Sequence, residues 1–267
     1  MNRLSETFAN ARQRSLKLLC PFLTAGFPAP HSTVDLLIAA QQGGAGVVEL
    51  GIPFSDPVAD GPVIQGSYTQ ALLQGATVEN ALDALAQARR RGLTVPVMAM
   101  VSFSIIFKRG TERFARQCAQ AGADGLILPD VPLEEAPAIV AVLRENNLRT
   151  ALLVAPTTPP ERRAAIARLC DGFIYYLSVS GITGERKALP ADIAPNVADL
   201  RRATDAPICV GFGISTAEQV REVTRVADGA IVGSALIRRL ADKVEASPAE
   251  QAEAVRGFVA ELATGLA

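Results

Sequence analysis

The chain is poor in the residues that several common chemistries require. It has a single histidine, His31, in 267 residues. One histidine argues against a Ser-His-Asp triad and against a multi-histidine metal site. Carboxylates are left as the leading groups for acid–base work. His31 itself stands in PAPHSTVDLL, where Ser32 or Thr33 has the character of a helix N-cap, so it reads as a helix-start residue. The four cysteines, Cys20, Cys118, Cys170 and Cys209, are scattered singly. No two have metal-ligand spacing, and buried thiols in a reducing cytoplasm are the expectation. The start MNRLSETFANARQ lacks the apolar core of a signal peptide. No apolar run approaches the roughly 18 residues that span a bilayer. Neither sign of charge is in excess, with 26 Lys plus Arg against 27 Asp plus Glu. That balance argues against a nucleic-acid or membrane-surface partner. The one basic cluster, Arg89-Arg90-Arg91, reads as a solvated helix end.

What the chain does have is apolar residue in short, regular runs. Hydrophobic residues make up 49%, enough for a large core. Eight strand-like runs recur, at 17–26, 46–51, 95–101, 125–130, 150–156, 172–179, 207–213 and 229–235. Most are apolar throughout, as parallel strands covered on both faces are. Segments with helical apolar spacing lie between them, as in STVDLLIAAQQ, TERFARQCAQAGADG, PLEEAPAIVAVLRENN and STAEQVREVTRVADG. Two helical stretches look additional: RLSETFANARQR at the N-terminus, and one of the pair GPVIQGSYTQALLQ and TVENALDALAQARRRG after the second run. A doubly wound sheet also alternates, but no GxGxxG follows the first run, and eight near-even repeats suit closure. The expected fold is α/β: a (β/α)8 TIM barrel in one domain, residues 1–267, with the two extra helices.

The stretch VELGIPFSDPVADG, residues 48–61, carries the chemistry. Glu49 ends an apolar strand, and alternation turns it away from the face of Val48 and Leu50, into the barrel mouth. A carboxylate there is costly to bury unpaired, so its proton affinity should rise, which suits a group that gives and takes protons near neutrality. A core ion pair is the bland alternative, weakened because no basic residue is expected in the strands themselves. Asp56 and Asp60 follow beside Pro and Gly, where aspartate is also an ordinary turn residue. Strands seven and eight end in GFGIST (211–216) and GSAL (233–236). Glycine loops at those two strands, followed by helix starts at Ser215 and Ser234, are a common barrel phosphate site, and ordinary strand-to-helix turns are the alternative. The long loop SVSGITGERKALP (178–190) could act as a lid and add an N–H at Gly184.

With PFLTAGFP before it and SGITGERKALP and VGFGIST after it, VELGIPFSDPVADGPVIQ resembles the tryptophan synthase alpha chain family, in the same order from about residue 15 to residue 240. The resemblance implies a (β/α)8 barrel that cleaves indole-3-glycerol phosphate to indole and glyceraldehyde 3-phosphate. It implies Glu49 as general acid–base and Asp60 as the carboxylate at the indole N–H. An indole pocket of Phe22, Met100, Ile127, Tyr175 and Ile231 follows, with Thr183 as a lid residue closing over Asp60. The implied phosphate site is Gly184, Phe212, Gly213, Gly233 and Ser234. No metal or cofactor is implied in this chain; pyridoxal phosphate would sit on a partner beta chain in an alpha2beta2 tetramer in the cytoplasm. One departure stands out. Where the family usually carries Tyr-x-Asn after strand three, this chain has Ser102, Phe103 and Ser104. That bears on the setting of Glu49 and on docking. A stand-alone lyase releasing free indole, and a non-catalytic phosphate-ligand binder that activates a partner, are the alternatives.

Overall fold

The structure, a computed structural model, describes residues 2–177, 193–211 and 213–266. Helix α1 (Arg3–Gln13) precedes β1 (Leu18–Thr24), α2 (Thr33–Gln42) and β2 (Val48–Gly51). Helices α3 (Pro62–Leu73) and α4 (Val78–Arg90) lead to β3 (Val97–Met100), and α5 (Phe103–Arg109) and α6 (Thr111–Ala121) to β4 (Gly125–Leu128). Then come α7 (Ala136–Glu145), β5 (Arg149–Val154), α8 (Pro160–Leu169), β6 (Phe173–Leu177) and α9 (Ile193–Ala203). The chain continues with β7 (Ile208–Gly211), α10 (Ala217–Thr224), β8 (Gly229–Val232), α11 (Ser234–Ala241) and α12 (Pro248–Ala263). The eight strands close in sequence order into a barrel, with β8 parallel to β1. This is the expected (β/α)8 barrel, and every expected strand is present.

The strands are buried because helices cover the outside and side chains fill the inside, so apolar runs without alternation fit them. The two added helices fall where expected, as α1 and within the α3–α4 pair. Helices α5 and α12 extend the plan beyond it. Helix α12 packs on α2 and is opened by a capping box of Ser247 and Glu250. At α2, Ser32 occupies the N-cap position but makes no capping bond. Its hydroxyl instead donates to the carbonyls of Ala29 (2.7 Å) and Phe27 (3.1 Å), and the Thr33 hydroxyl accepts from the Gly26 N–H, tightening the turn after β1.

Charges gather at the opposite end from the strand C-termini. Asp124, Asp171 and Asp228, each just before a strand start, accept the N–H of Val97 (2.9 Å), Thr150 (2.8 Å) and Ile208 (2.8 Å). Each aspartate also pairs with arginine: Arg89 and Arg3 on Asp124, Arg144 and Arg149 on Asp171, Arg201 on Asp228. Two expectations are corrected here. Arg89 is not part of a solvated helix end; it turns inward and donates to the carbonyls of Gly122, Leu93 and Val95 as well as to Asp124. Arg149 occupies the first position of β5, so one strand does carry a base, although its partner is Asp171 at the barrel floor and not Glu49. Burial raises Asp124 and brings Arg89 down to about 10, yet contacts at 2.7 and 2.9 Å are those of an ion pair, and the pairing is what makes the burial tolerable.

Candidate active site

Strand register decides which side chains meet in the barrel. Glu49 on β2 lies level with Phe22 on β1 and Met98 on β3. In parallel strands, level residues point to the same side. Met100 lies level with Ile127, Tyr175 with Cys209, and Gly211 with Ile231. Phe22, Met100, Ile127, Tyr175 and Ile231 therefore all belong to the inward-facing set that contains Glu49. Their rings and alkyl groups give the mouth an apolar wall. Tyr175 is half-buried and the other four are buried.

Glu49 is fully buried, and neither carboxyl oxygen has a hydrogen-bond partner among the described residues. Burial, and then the nearby charge of Asp60, hold its proton affinity well above that of an ordinary glutamate. The expected inward orientation is found, and so is the expected direction of the shift. No basic side chain pairs with it among the described residues.

Asp60 is the last loop residue but one before α3. The Gln65 side chain donates to its carbonyl at 2.8 Å, and its N–H donates to the Pro57 carbonyl at 3.1 Å, so the loop is pinned to the first turn of α3. Its carboxyl is half-buried and raised to about 7, first by burial and then by the charge of Asp130. Asp56, weighed beside it in the sequence, is exposed.

Two neighbours of these acids were not singled out from the sequence. Tyr68, on α3, is buried, and its phenol is raised by burial and then by the charges of Asp60 and Glu49. Its ring lies 6.4 Å from that of Phe22. Gly51 makes room for both: a Cβ there would fall 2.4 Å from Phe22 Cζ and 2.6 Å from the Tyr68 hydroxyl. Asp130, two residues past β4, is the other.

On the far side, Gly213 has φ of +45°, a left-handed conformation that favours glycine. Gly233 is the N-cap of α11 and supplies no side chain to cap it, which leaves the first N–H groups of that helix to an outside acceptor. A Cβ on Gly233 would lie 3.8 Å from Phe22 Cβ, so this glycine borders the pocket. Ser234, the first residue of α11, is buried. Helix α10 differs from expectation. It starts at Ala217, and its capping box closes on itself: Gln219 Oε1 takes the N–H of Ser215 (2.8 Å) and of Thr216 (3.3 Å). The helix start near Ser215 therefore has those two donors already engaged. Thr183, Gly184 and Phe212 lie outside the described residues.

Among known proteins, a sequence model of the family "Tryptophan synthase alpha chain" matches residues 8–265. A tryptophan synthase alpha chain from Chloroflexus aggregans is 43% identical over 262 residues, covering 98% of this chain and 97% of that one. This chain belongs to the tryptophan synthase alpha chain family. The crystal structure of tryptophan synthase subunit alpha from Legionella pneumophila superimposes with a TM-score of 0.88 at 36% identity, over 100% of this chain and 98% of that one. A chain of the tryptophan synthase complex from Pyrococcus furiosus gives a TM-score of 0.84 at 33% identity, over 93% of this chain and 99% of that one. Membership makes the chain a lyase of tryptophan biosynthesis that cleaves indole-3-glycerol phosphate. It carries no cofactor of its own, since the pyridoxal phosphate of tryptophan synthase belongs to the beta chain, and a beta chain is the implied partner. No described helix is long and apolar enough to cross a membrane.

Proposed function

We propose that Glu49 and Asp60 carry the retro-aldol cleavage in this chain, within one barrel domain spanning residues 1–267. The observation that carries the reading is Glu49: a fully buried carboxyl without a hydrogen-bond partner among the described residues, facing an apolar pocket beside a second carboxyl. An acid so placed holds its proton near neutral pH and keeps both oxygens unclaimed by hydrogen bonds among the described residues. Indole is a poor leaving carbanion, so C3 must be protonated before the carbon–carbon bond breaks. Glu49 gives its proton to C3, and the ring becomes an indoleninium cation. Asp60, as carboxylate, offsets that charge at N1. Glu49, now ionised, takes the proton of the glycerol hydroxyl next to the breaking bond. The bond electrons return to the ring, indole and glyceraldehyde 3-phosphate separate, and Glu49 is protonated again.

Phe22, Met100, Ile127, Tyr175 and Ile231 would hold the indole ring. Gly213, Gly233 and Ser234 would hold the phosphate through uncapped N–H groups, with Gly184 and Phe212 beside them and Thr183 closing over Asp60. We infer an alpha2beta2 assembly in which indole passes to the beta chain. Exposed Val58, in the loop after β2, and exposed Phe107, on α5 near Ser104, supply apolar surface where that partner would dock. A cytoplasmic setting fits the four free, buried thiols. The test is indole release by the purified chain from indole-3-glycerol phosphate. The chain lacks tryptophan, so indole emission appears on a clean background. Glu49→Gln and Asp60→Asn should each abolish release with the fold retained; release by Glu49→Gln at the unsubstituted rate would sink the mechanism.

A further inference from the structure

Asp130 follows β4, and both of its carboxyl oxygens are engaged. The Ser102 hydroxyl donates to Oδ2 at 2.6 Å, and the Phe103 N–H donates to Oδ1 at 2.7 Å. Ser102 is buried, and it is also the N-cap of α5, accepting the Ser104 N–H at 3.3 Å. The hydroxyl thus joins the end of β3, the start of α5 and the loop after β4. Two short donors on two oxygens hold the Asp130 carboxyl in one orientation. Asp130, Ser102, Asp60, Tyr68 and Met100 line one small cavity of about 10 Å³, the room of about one water. Asp130 is therefore a carboxyl fixed beside Asp60 in one cavity, with a protein donor on each of its oxygens.

We propose that Asp130, clamped by Ser102 and the Phe103 amide, is a positioning residue that acts on the substrate through Asp60. The proposal rests on the reading above, in which Asp60 serves the indole nitrogen. A fixed anion near Asp60 makes an empty, ionised Asp60 less favourable and a positively charged ring beside it more favourable. Asp130 thereby strengthens the site's preference for the cation over the neutral substrate, which is the difference that lowers a barrier. The groups facing Asp60 are Glu49 from β2, Tyr68 from α3, Tyr175 from β6 and Asp130 from the loop after β4; Asp130 is the one among them with a described donor on each carboxyl oxygen. Serine suits this role because a short hydroxyl can cap α5 and reach Asp130 at once.

The side-chain carboxyl of Asp60 can be titrated in the free protein by NMR with ¹³C-labelled aspartate, its signal identified by its loss in Asp60→Asn. In Asp130→Asn the Asp60 midpoint should fall from about 7 by roughly half a pH unit or more, the size of removing one nearby charge at a partly exposed rim. The acid limb of kcat/KM for indole release should move down with it. Ser102→Ala should shift both in the same direction by less, and Ser102→Thr should restore them. An unmoved Asp60 midpoint in Asp130→Asn overturns the proposal. If that variant does not fold, an unmoved midpoint in Ser102→Ala does so. Indole release with an unmoved midpoint refutes the positioning role alone, whereas no release by the unsubstituted chain removes the functional reading beneath it.

Discussion

Replacing Asp60 by asparagine should make the protein more stable as well as inactive, and the gain should depend on pH. The carboxyl of Asp60 is raised from 3.8 to about 7 by burial and by Asp130. Well below pH 3.8, its ordinary value, it is neutral in both the folded and the unfolded chain and contributes nothing to the difference, and near pH 4 it contributes little. As pH rises toward 7, the unfolded chain ionises at this position while the folded chain resists, so folding is increasingly disfavoured. Above pH 7 the whole difference applies, at most about 4 kcal/mol for a rise of that size. Partial exposure of the side chain reduces this, and about 2 to 4 kcal/mol is the expected range. Asparagine has the same shape and no charge, so it escapes the penalty. Urea unfolding of both proteins at pH 4, 6 and 8 measures the difference. Asp60→Asn should match the unsubstituted protein near pH 4 and exceed it by a few kcal/mol at pH 8. A gap that does not vary with pH, or a substituted protein that is the weaker one at pH 8, would refute the argument that burial raises this carboxyl.

Gly51→Ala places a methyl within 2.4 Å of Phe22 and 2.6 Å of Tyr68. It should cost about 1–3 kcal/mol in urea unfolding and slow indole release, since both displaced groups border the acids; full activity would show that the wall yields freely. Asp124→Asn breaks the buried pair with Arg89, so about 3 kcal/mol should be lost. For a chain of this size that is roughly 6–12 °C in thermal midpoint, and a loss under 2 °C would mean that Arg89 finds another partner. Adding a tryptophan synthase beta chain should raise turnover and co-elute with the alpha chain on size exclusion. Equal steady-state turnover with and without it would speak for a stand-alone lyase.

The barrel was legible because burial on both faces strips parallel strands of polar residues, and those runs stand out in any reading. Glu49 was legible for the same reason reversed: an acid inside such a run has nowhere to go except the interior. An uncapped helix start was legible at Gly233, and the start near Ser215 less so, because the capping pair Thr216 and Gln219 meets only across a helical turn. Tyr68 was hidden because an aromatic at helical spacing reads as ordinary core. Asp130 was hidden because Asp between two prolines, in PDVP, reads as a turn. Its position just past the C-terminal end of β4, where barrel enzymes place their working groups, was the available signal. Asp124 and Asp228, each in an Ala-Asp-Gly, were not singled out, since their pairing with distant arginines leaves no local pattern. Arg89 was misread because a basic triplet gives no sign of which member turns inward.

The three aspartates at the strand starts act as rivets along the lower hoop of the wall. Each fastens an odd-numbered strand to the next even-numbered one, at β3–β4, β5–β6 and β7–β8. Rigidity is thereby concentrated at the bottom, far from the acids. The upper rim is free to keep a buried acid without a hydrogen-bond partner among the described residues and an uncapped helix end, features that would weaken a wall whose strength depended on that edge.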